Sequence, residues 1–288
     1  MRRTLLCSLL AATACLVPTQ TTGAAAPEVR LSLAVLPCTN IESTFRKFYP
    51  LIQHLKQSAG VTLKLVVPGN LVEFEALLKS GQVDVALQDP HTYESLARYF
   101  DNTTLLATVA LDGTTNQSGV VVVRRDGGVT RLSQLRGRTV LFGPRISTPK
   151  WVAARMLFES EGIDVDRDLK VVNGGCCEDI AFAVTIRSVD AGVICEHFMG
   201  QREARQGDLG ADAAALRVIG RTRPFPTRVM AARRGAARDA VTRLTDALLR
   251  LDASVPAEAR ILSSAEILAF KRTTEAEYLR PLRSPRVP

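Results

Sequence analysis

The chain has 288 residues, 46% of them hydrophobic and 23% charged, with 37 basic against 29 acidic side chains for a net charge of +8. That length and apolar content support one or two well-cored domains and exclude a disordered or low-complexity chain. The basic residues are scattered and only 5% of the chain is aromatic, which argues against a nucleic-acid binder and leaves a membrane surface or a small anion as partner.

Arg2 and Arg3 precede an apolar run from Leu5 to Val17, Pro18 ends it, and small residues follow up to Ala24. The run is too short to cross a bilayer and reads as a secretory signal peptide over residues 1–24, so the mature protein is expected in the periplasm from about Ala25. A rival cut precedes Cys15, after Ala12-Thr13-Ala14. That lipobox lacks its usual leucine, so a lipid anchor ranks second, beside a non-cleaved anchor.

Beyond the signal, short β-rich runs alternate with segments of helical period, the pattern of an α/β protein with parallel sheets covered by helices. Strands are predicted over 31–36, 63–67, 83–87, 139–142, 169–172, 191–194 and 216–219. The first helix carries Phe45, Phe48, Ile52 and Leu55 on one face behind a Thr39-x-x-Glu42 capping box, and the second carries Leu71, Phe74 and Leu78 and stops at Gly81. Near the end, Val241, Leu244, Leu248 and Leu251 share a face.

Two stretches break the rhythm. GVVVVRRDGG (119–128) and TRVMAARRG (227–235) are extended apolar runs, each followed by paired arginines and a glycine. They are read as two crossings between lobes, with residues 25–118 and 227–288 forming lobe 1 and residues 119–226 forming lobe 2. A ligand cleft then lies between the lobes, at the carboxyl ends of their strands. A single continuous sheet is the alternative that pattern alone leaves open.

Within the expected cleft, LFGPRISTPK runs from a strand through a Gly-Pro loop into a helix. Pro149 suits the first helical position, which puts Thr148 at the N-cap with Ser147 beside it, where backbone N–H groups and the helix dipole favour an anion. An ordinary capped helix has the same signature. A second unusual stretch, NGGCCED (173–179), sets Cys176 and Cys177 between two glycines and two acids.

With these motifs, the sequence resembles the phosphate/phosphite/phosphonate-binding periplasmic components of ABC transporters, the PhnD-like family, over nearly the whole mature chain. The matching segments are LAVLPC, Gly81-Gln82-Val83-Asp84-Val85-Ala86, Pro90-His91-Thr92-Tyr93, and Ser147-Thr148, the surviving half of an S-T-S-G motif that Pro149 and Lys150 break. Gly175-Cys176-Cys177-Glu178 stands where the family has G-x-H-[DE], ahead of Ala183-Val184 and Asp190. RTRPFPTRV and the segment around Tyr278 resemble the family's returning strand and closing segment. The resemblance implies a two-lobed type II periplasmic-binding-protein fold with a double hinge, and a binding protein rather than an enzyme. It implies capture of a small oxyanion by hinge closure for an ABC importer.

It also implies the site residues. Ser147 and Thr148 hold the oxyanion, Tyr93 closes over it unless it is an ordinary packed tyrosine, and Cys177 takes the place of a histidine donor, flanked by Cys176 and Glu178. Cys38, after the first strand, and Cys195, at the end of 191–194, fall at carboxyl strand ends on the two sides of the cleft. Lys150 either offers charge to the ligand or points into solvent, His91 reads as loop surface, and Trp151 is a natural fluorescence reporter. A thiol is a weak donor but a strong soft ligand once ionised, so the alternative is a periplasmic sensor that binds a thiophilic oxyanion such as arsenite and signals to a histidine kinase.

A disulfide within lobe 2, joining Cys195 to Cys176 or Cys177, is expected ahead of none. Zinc or copper held by Cys176, Cys177, Cys195 and His197 ranks last, because the spacing fits no structural zinc pattern. A thiol enzyme built on Cys177 and Glu178 with His91 or His197 lacks any recognisable nucleophile or phosphate-binding motif. The expected partners are therefore a small anion and either a permease or a sensor kinase, with no cofactor, no nucleic acid and a monomeric chain.

Overall fold

The computed structural model describes residues 29–35, 41–200 and 213–283. The chain opens with β1 (Val29–Val35), α1 (Ile41–Ala59), β2 (Val61–Val66), α2 (Leu71–Lys79) and β3 (Val85–Gln88), then α3 (Pro90–Leu96) and β4 (Leu106–Val109). A short β5 (Asn116–Gln117) leads into β6 (Gly119–Arg124) and β7 (Thr139–Phe142). A π-helical turn, Thr148–Val152, continues as α4 (Ala153–Ser160), followed by α5 (Val165–Asp168), β8 (Lys170–Asn173), α6 (Cys177–Thr185), β9 (Ala191–Cys195) and α7 (Glu196–Gly200). After β10 (Leu216–Arg221) and β11 (Phe225–Pro226) come β12 (Val229–Ala232), α8 (Arg238–Arg250), α9 (Pro256–Ser264), β13 (Ala269–Arg272) and α10 (Glu275–Arg283).

These strands form two separate sheets joined by a ribbon. The first has six strands in the order β13-β4-β12-β3-β1-β2, the second five in the order β10-β6-β9-β7-β8, and β5 pairs with β11 between them. Strands β1, β2 and β3 are parallel, as are β7, β8 and β9, while β12 enters antiparallel between β3 and β4. The two sheets rule out the single continuous sheet.

The valine runs are not the crossings themselves. Val120 to Val123 are buried and β6 lies inside the five-stranded sheet between β10 and β9, while β12 lies inside the six-stranded one. Strands apolar on both faces go to sheet centres. The crossing falls on the ribbon just upstream of each, where Asn116 and Gln117 are polar and only partly covered.

Helix α1 packs with α8 and α9 on one face of the first sheet, and α2, α3 and α10 cover the other. The inward stripe of α1 is Thr44, Phe48, Leu51, Ile52, Leu55 and Ala59. Phe45, expected inside, is 48% exposed; Thr44 takes the inward position in that turn and Phe45 stacks on Tyr49 at 5.4 Å outside. Thr39, the other half of the expected capping box, lies outside the described residues. On the second sheet α4 and α6 take opposite faces. Gly192 permits the close approach of α6, since a Cβ there would lie 2.4 Å from Ile180 Cγ2.

Candidate functional site

The helix start after β7 is built one residue earlier than the sequence suggests. Ser147 is the N-cap, with extended backbone, and its hydroxyl accepts the Lys150 N–H at 3.4 Å. Thr148 and Pro149 are therefore the first two helical residues, where a proline's missing N–H costs nothing. Val152 N–H donates to Ser147 O at 3.3 Å, which opens the first turn into a π-helix. Trp151 packs edge-on against Phe142 at 5.4 Å, with the Arg145 and Arg155 guanidinium groups 4.8 and 5.0 Å from its ring.

Across from it stands the start of α3, carried by the six-stranded sheet. Asp89 is the N-cap of α3 but makes no cap bond to its own helix. Its Oδ2 instead accepts the Thr148 N–H at 3.0 Å, and Thr148 Oγ1 accepts the His91 N–H at 3.0 Å. Each helix start is thus capped by a side chain of the other lobe. Thr92 Oγ1 adds a longer bond to Ile146 O, at 3.5 Å. His91, expected as loop surface, is part of this lobe-to-lobe contact through its backbone, and Thr148 is wholly buried.

Lys150 resolves to the inward alternative. It is 1% exposed and its Nζ donates to the Gly175 carbonyl at 3.2 Å. Its stem runs across Gly143, where a Cβ would lie 2.6 Å from Lys150 Cβ and 2.7 Å from its Cε. Gly174 and Gly175 adopt φ values of +140° and +79°, a bend that only glycine makes without strain. The bend turns the Gly175 carbonyl to Lys150 and places the N-cap of α6 at the next residue.

The adjacent cysteines have different positions. Cys176 is the N-cap of α6, and its N–H donates to Asp179 Oδ2 at 2.7 Å. Cys177, the first helical residue, is 9% exposed and packs with Val120, Ile180 and Ile194. Its Sγ accepts the Cys195 N–H at 3.2 Å. Cys195, at the end of β9, is 8% exposed. Among the described residues no disulfide links these three. This corrects the expected bridge: the Cys177 sulfur takes the amide of Cys195 as a hydrogen-bond donor, and Cys176 serves as the N-cap of α6. Glu178 follows in the first turn of α6, partly buried.

Two further expected site residues are Cys38 and Tyr93. Cys38 is outside the described residues. Tyr93 is 0% exposed, inside the helical cover of the first sheet, with its hydroxyl donating to Glu275 Oε2 at 3.1 Å and its ring edge-on to Tyr278 at 5.9 Å. Burial and the Glu275 carboxylate push its hydroxyl well above the ordinary tyrosine range, so it stays protonated. Of its two readings, the packed tyrosine is the one seen. Tyr278 is also buried and raised, and donates to Thr227 O at 2.7 Å. His197 joins no metal cluster: among the described residues no three His, Cys, Asp or Glu side chains gather to hold an ion.

Sequence reasoning missed Gln88 and Asp89. Gln88 is a polar end to the apolar run VAL, and Asp89 precedes the helix-opening Pro90. A polar pair closing a strand at the cleft edge was the available signal.

Two α/β lobes joined by a β-ribbon, with helix starts meeting between them, define a type II periplasmic binding protein. The family model of the periplasmic substrate-binding protein of phosphonate ABC transporters matches residues 33–278, and the chain belongs to that family, one of binding components and not of enzymes. Solved structures share the fold at low identity. A binding protein component of an ABC phosphonate transporter from Pseudomonas aeruginosa is 16% identical, with a TM-score of 0.76 over 89% of this chain and 85% of that one. PhnD1 from Prochlorococcus marinus, in complex with methylphosphonate, is 14% identical, with a TM-score of 0.73 over 88% and 96%. A Xanthomonas citri protein bound to chloride ion is 20% identical, with a TM-score of 0.70 over 88% and 95%.

Proposed function

We propose that this protein captures a small phosphorus oxyanion of the phosphate, phosphite or phosphonate type in the periplasm and delivers it to an ABC permease. The observation that carries the reading is the placement of Lys150, an ammonium buried between the helix starts at Ser147 and Cys176. Both helix ends point partial positive charge into the same space, and the lysine adds a full charge in low dielectric. To this site we assign Ser147 and the first turn of α6, including Glu178. The Thr148 N–H serves the lobe-to-lobe contact with Asp89. Residues 25–118 and 227–288 act as one lobe and residues 119–226 as the other, exported by the signal over residues 1–24.

A second reading rests on the cysteines. Cys176, Cys177 and Cys195 meet at one end of the second sheet, a soft-ligand environment suited to trivalent arsenic, and a sensor kinase would then read the closure. Thermal melts of the reduced protein with phosphate, phosphite, methylphosphonate and arsenite separate the two. A ligand at ~100 times its dissociation constant adds ~2.7 kcal/mol, or roughly 5–10 °C for a chain of this size. A shift with a phosphorus oxyanion and none with arsenite is the expected result. A shift with arsenite alone, abolished by Cys177→Ser, overturns it in favour of the sensor.

A further inference from the structure

Gln88 is 1% exposed, and among the described residues neither its Nε2 nor its Oε1 has a hydrogen-bond partner. An unsatisfied buried polar atom is costly, so a native chain that keeps two of them on one side chain has a use for them. The residue is the last of β3 and lies in register with Val229, the first residue of β12. Since β12 is entered directly from the ribbon strand β11, Gln88 stands at the hinge edge of the six-stranded sheet. Its chain neighbour Asp89 reaches Thr148 of the other lobe. Val85 and Leu87 pack toward α1 and α8, and Ala86 toward Tyr93 and Tyr278. By strand alternation Gln88 shares the face of Ala86, the side of the sheet on which α3 begins.

We infer that Gln88 is a specificity-determining ligand residue, and that the site selects an oxyanion that retains a hydroxyl. The inference rests on the oxyanion reading above. A carboxamide offers one acceptor and a pair of N–H donors. A ligand satisfies both ends only if it brings an oxygen to accept from Nε2 and an O–H to donate to Oε1. Singly protonated methylphosphonate and phosphate have both. Sulfate at neutral pH has only acceptors, so it leaves Oε1 facing another acceptor. The Asp89 carboxylate beside it, itself only an acceptor, adds to the same preference.

The test is calorimetric titration of the purified protein with methylphosphonate and with sulfate, for the unchanged chain, Gln88→Met and Gln88→Glu, together with unliganded melting temperatures. Sites built to bond a ligand hydroxyl reject analogues that lack it strongly, so sulfate is expected to bind the unchanged protein at least ~100-fold more weakly than methylphosphonate. Gln88→Met should lose ~10–100-fold in methylphosphonate affinity while melting at the same temperature or higher, because two orphaned atoms have been removed. A purely structural glutamine, or one that holds a buried water, gives the reverse: a lower melting temperature and unchanged affinity. Gln88→Glu keeps the shape and removes the donor, so it should also lose affinity, which covers the case in which the methionine variant fails to fold. Equal binding of sulfate, or unaltered affinity in both variants, overturns the inference. Failure of the unchanged protein to bind any phosphorus oxyanion overturns the functional reading itself.

Discussion

Replacing Gly143 by alanine tests whether Lys150 belongs to the site as described. The new Cβ would lie 2.6 Å from Lys150 Cβ, 2.7 Å from Cε and 3.0 Å from Cδ. Three contacts at or below that distance run along the lysine stem, so rotating its far end cannot relieve them. Overfilling a packed site costs ~1–3 kcal/mol, which for a chain of this length lowers the melting temperature by roughly 2–12 °C. Displacing the ammonium also breaks its bond to Gly175 O. Hydrogen bonds to charged groups contribute ~1.5–3 kcal/mol, so methylphosphonate affinity should fall at least ~10-fold. Calorimetry and a thermal melt read the two effects separately. Gly200→Ala is the control, because a Cβ there meets nothing within 4 Å among the described residues. An unchanged melting temperature together with unchanged affinity in Gly143→Ala would refute the buried path of Lys150 and, with it, the anion site.

Asp89→Ala removes the carboxylate that accepts the Thr148 N–H; a charge-assisted bond contributes ~1.5–3 kcal/mol, so the lobes should separate ~10–150-fold more readily. Small-angle scattering of the unliganded variant should show a larger radius of gyration, and an identical profile would count against the latch. Asp126 is held down to about 2 by the Arg124 guanidinium that hydrogen-bonds it. Its folded value lies below the unfolded one, so its contribution is complete above about pH 4 and fades as pH falls toward 2. The melting temperatures of the unchanged protein and Asp126→Asn should therefore converge on acidification; a constant gap would contradict that pairing. In a Cys38→Ala background lacking residues 1–24, Ellman's reagent should label partly exposed Cys176 before buried Cys177 and Cys195, and denaturation should release three thiols. A smaller total would restore the disulfide.

The local pattern was readable from the chain alone. Apolar runs of four to six residues between helical periods specified seven of the strands, because period and β-branching act within each segment. Pro149, with Ser147 and Thr148 before it, marked a helix start, and the family motifs announced the type II fold. The sequence put Cys176 and Cys177 in a loop facing the cleft; the structure has them open a helix after the bend at Gly174 and Gly175.

What remained depends on contacts between residues distant in the chain. Asp89 and Thr148 are 59 positions apart, and only the meeting of two sheets turned an N-cap aspartate away from its own helix. Lys150 had two readings, ligand charge or solvent, until Gly143 and Gly175 closed around it, and Tyr93 had two, cleft or packed, until Tyr278 and Glu275 enclosed it from the far end of the chain. Gln88 carries no local signal beyond its polarity. Its significance lies in the partners it lacks, and satisfaction of a buried polar group is a property of the packed whole.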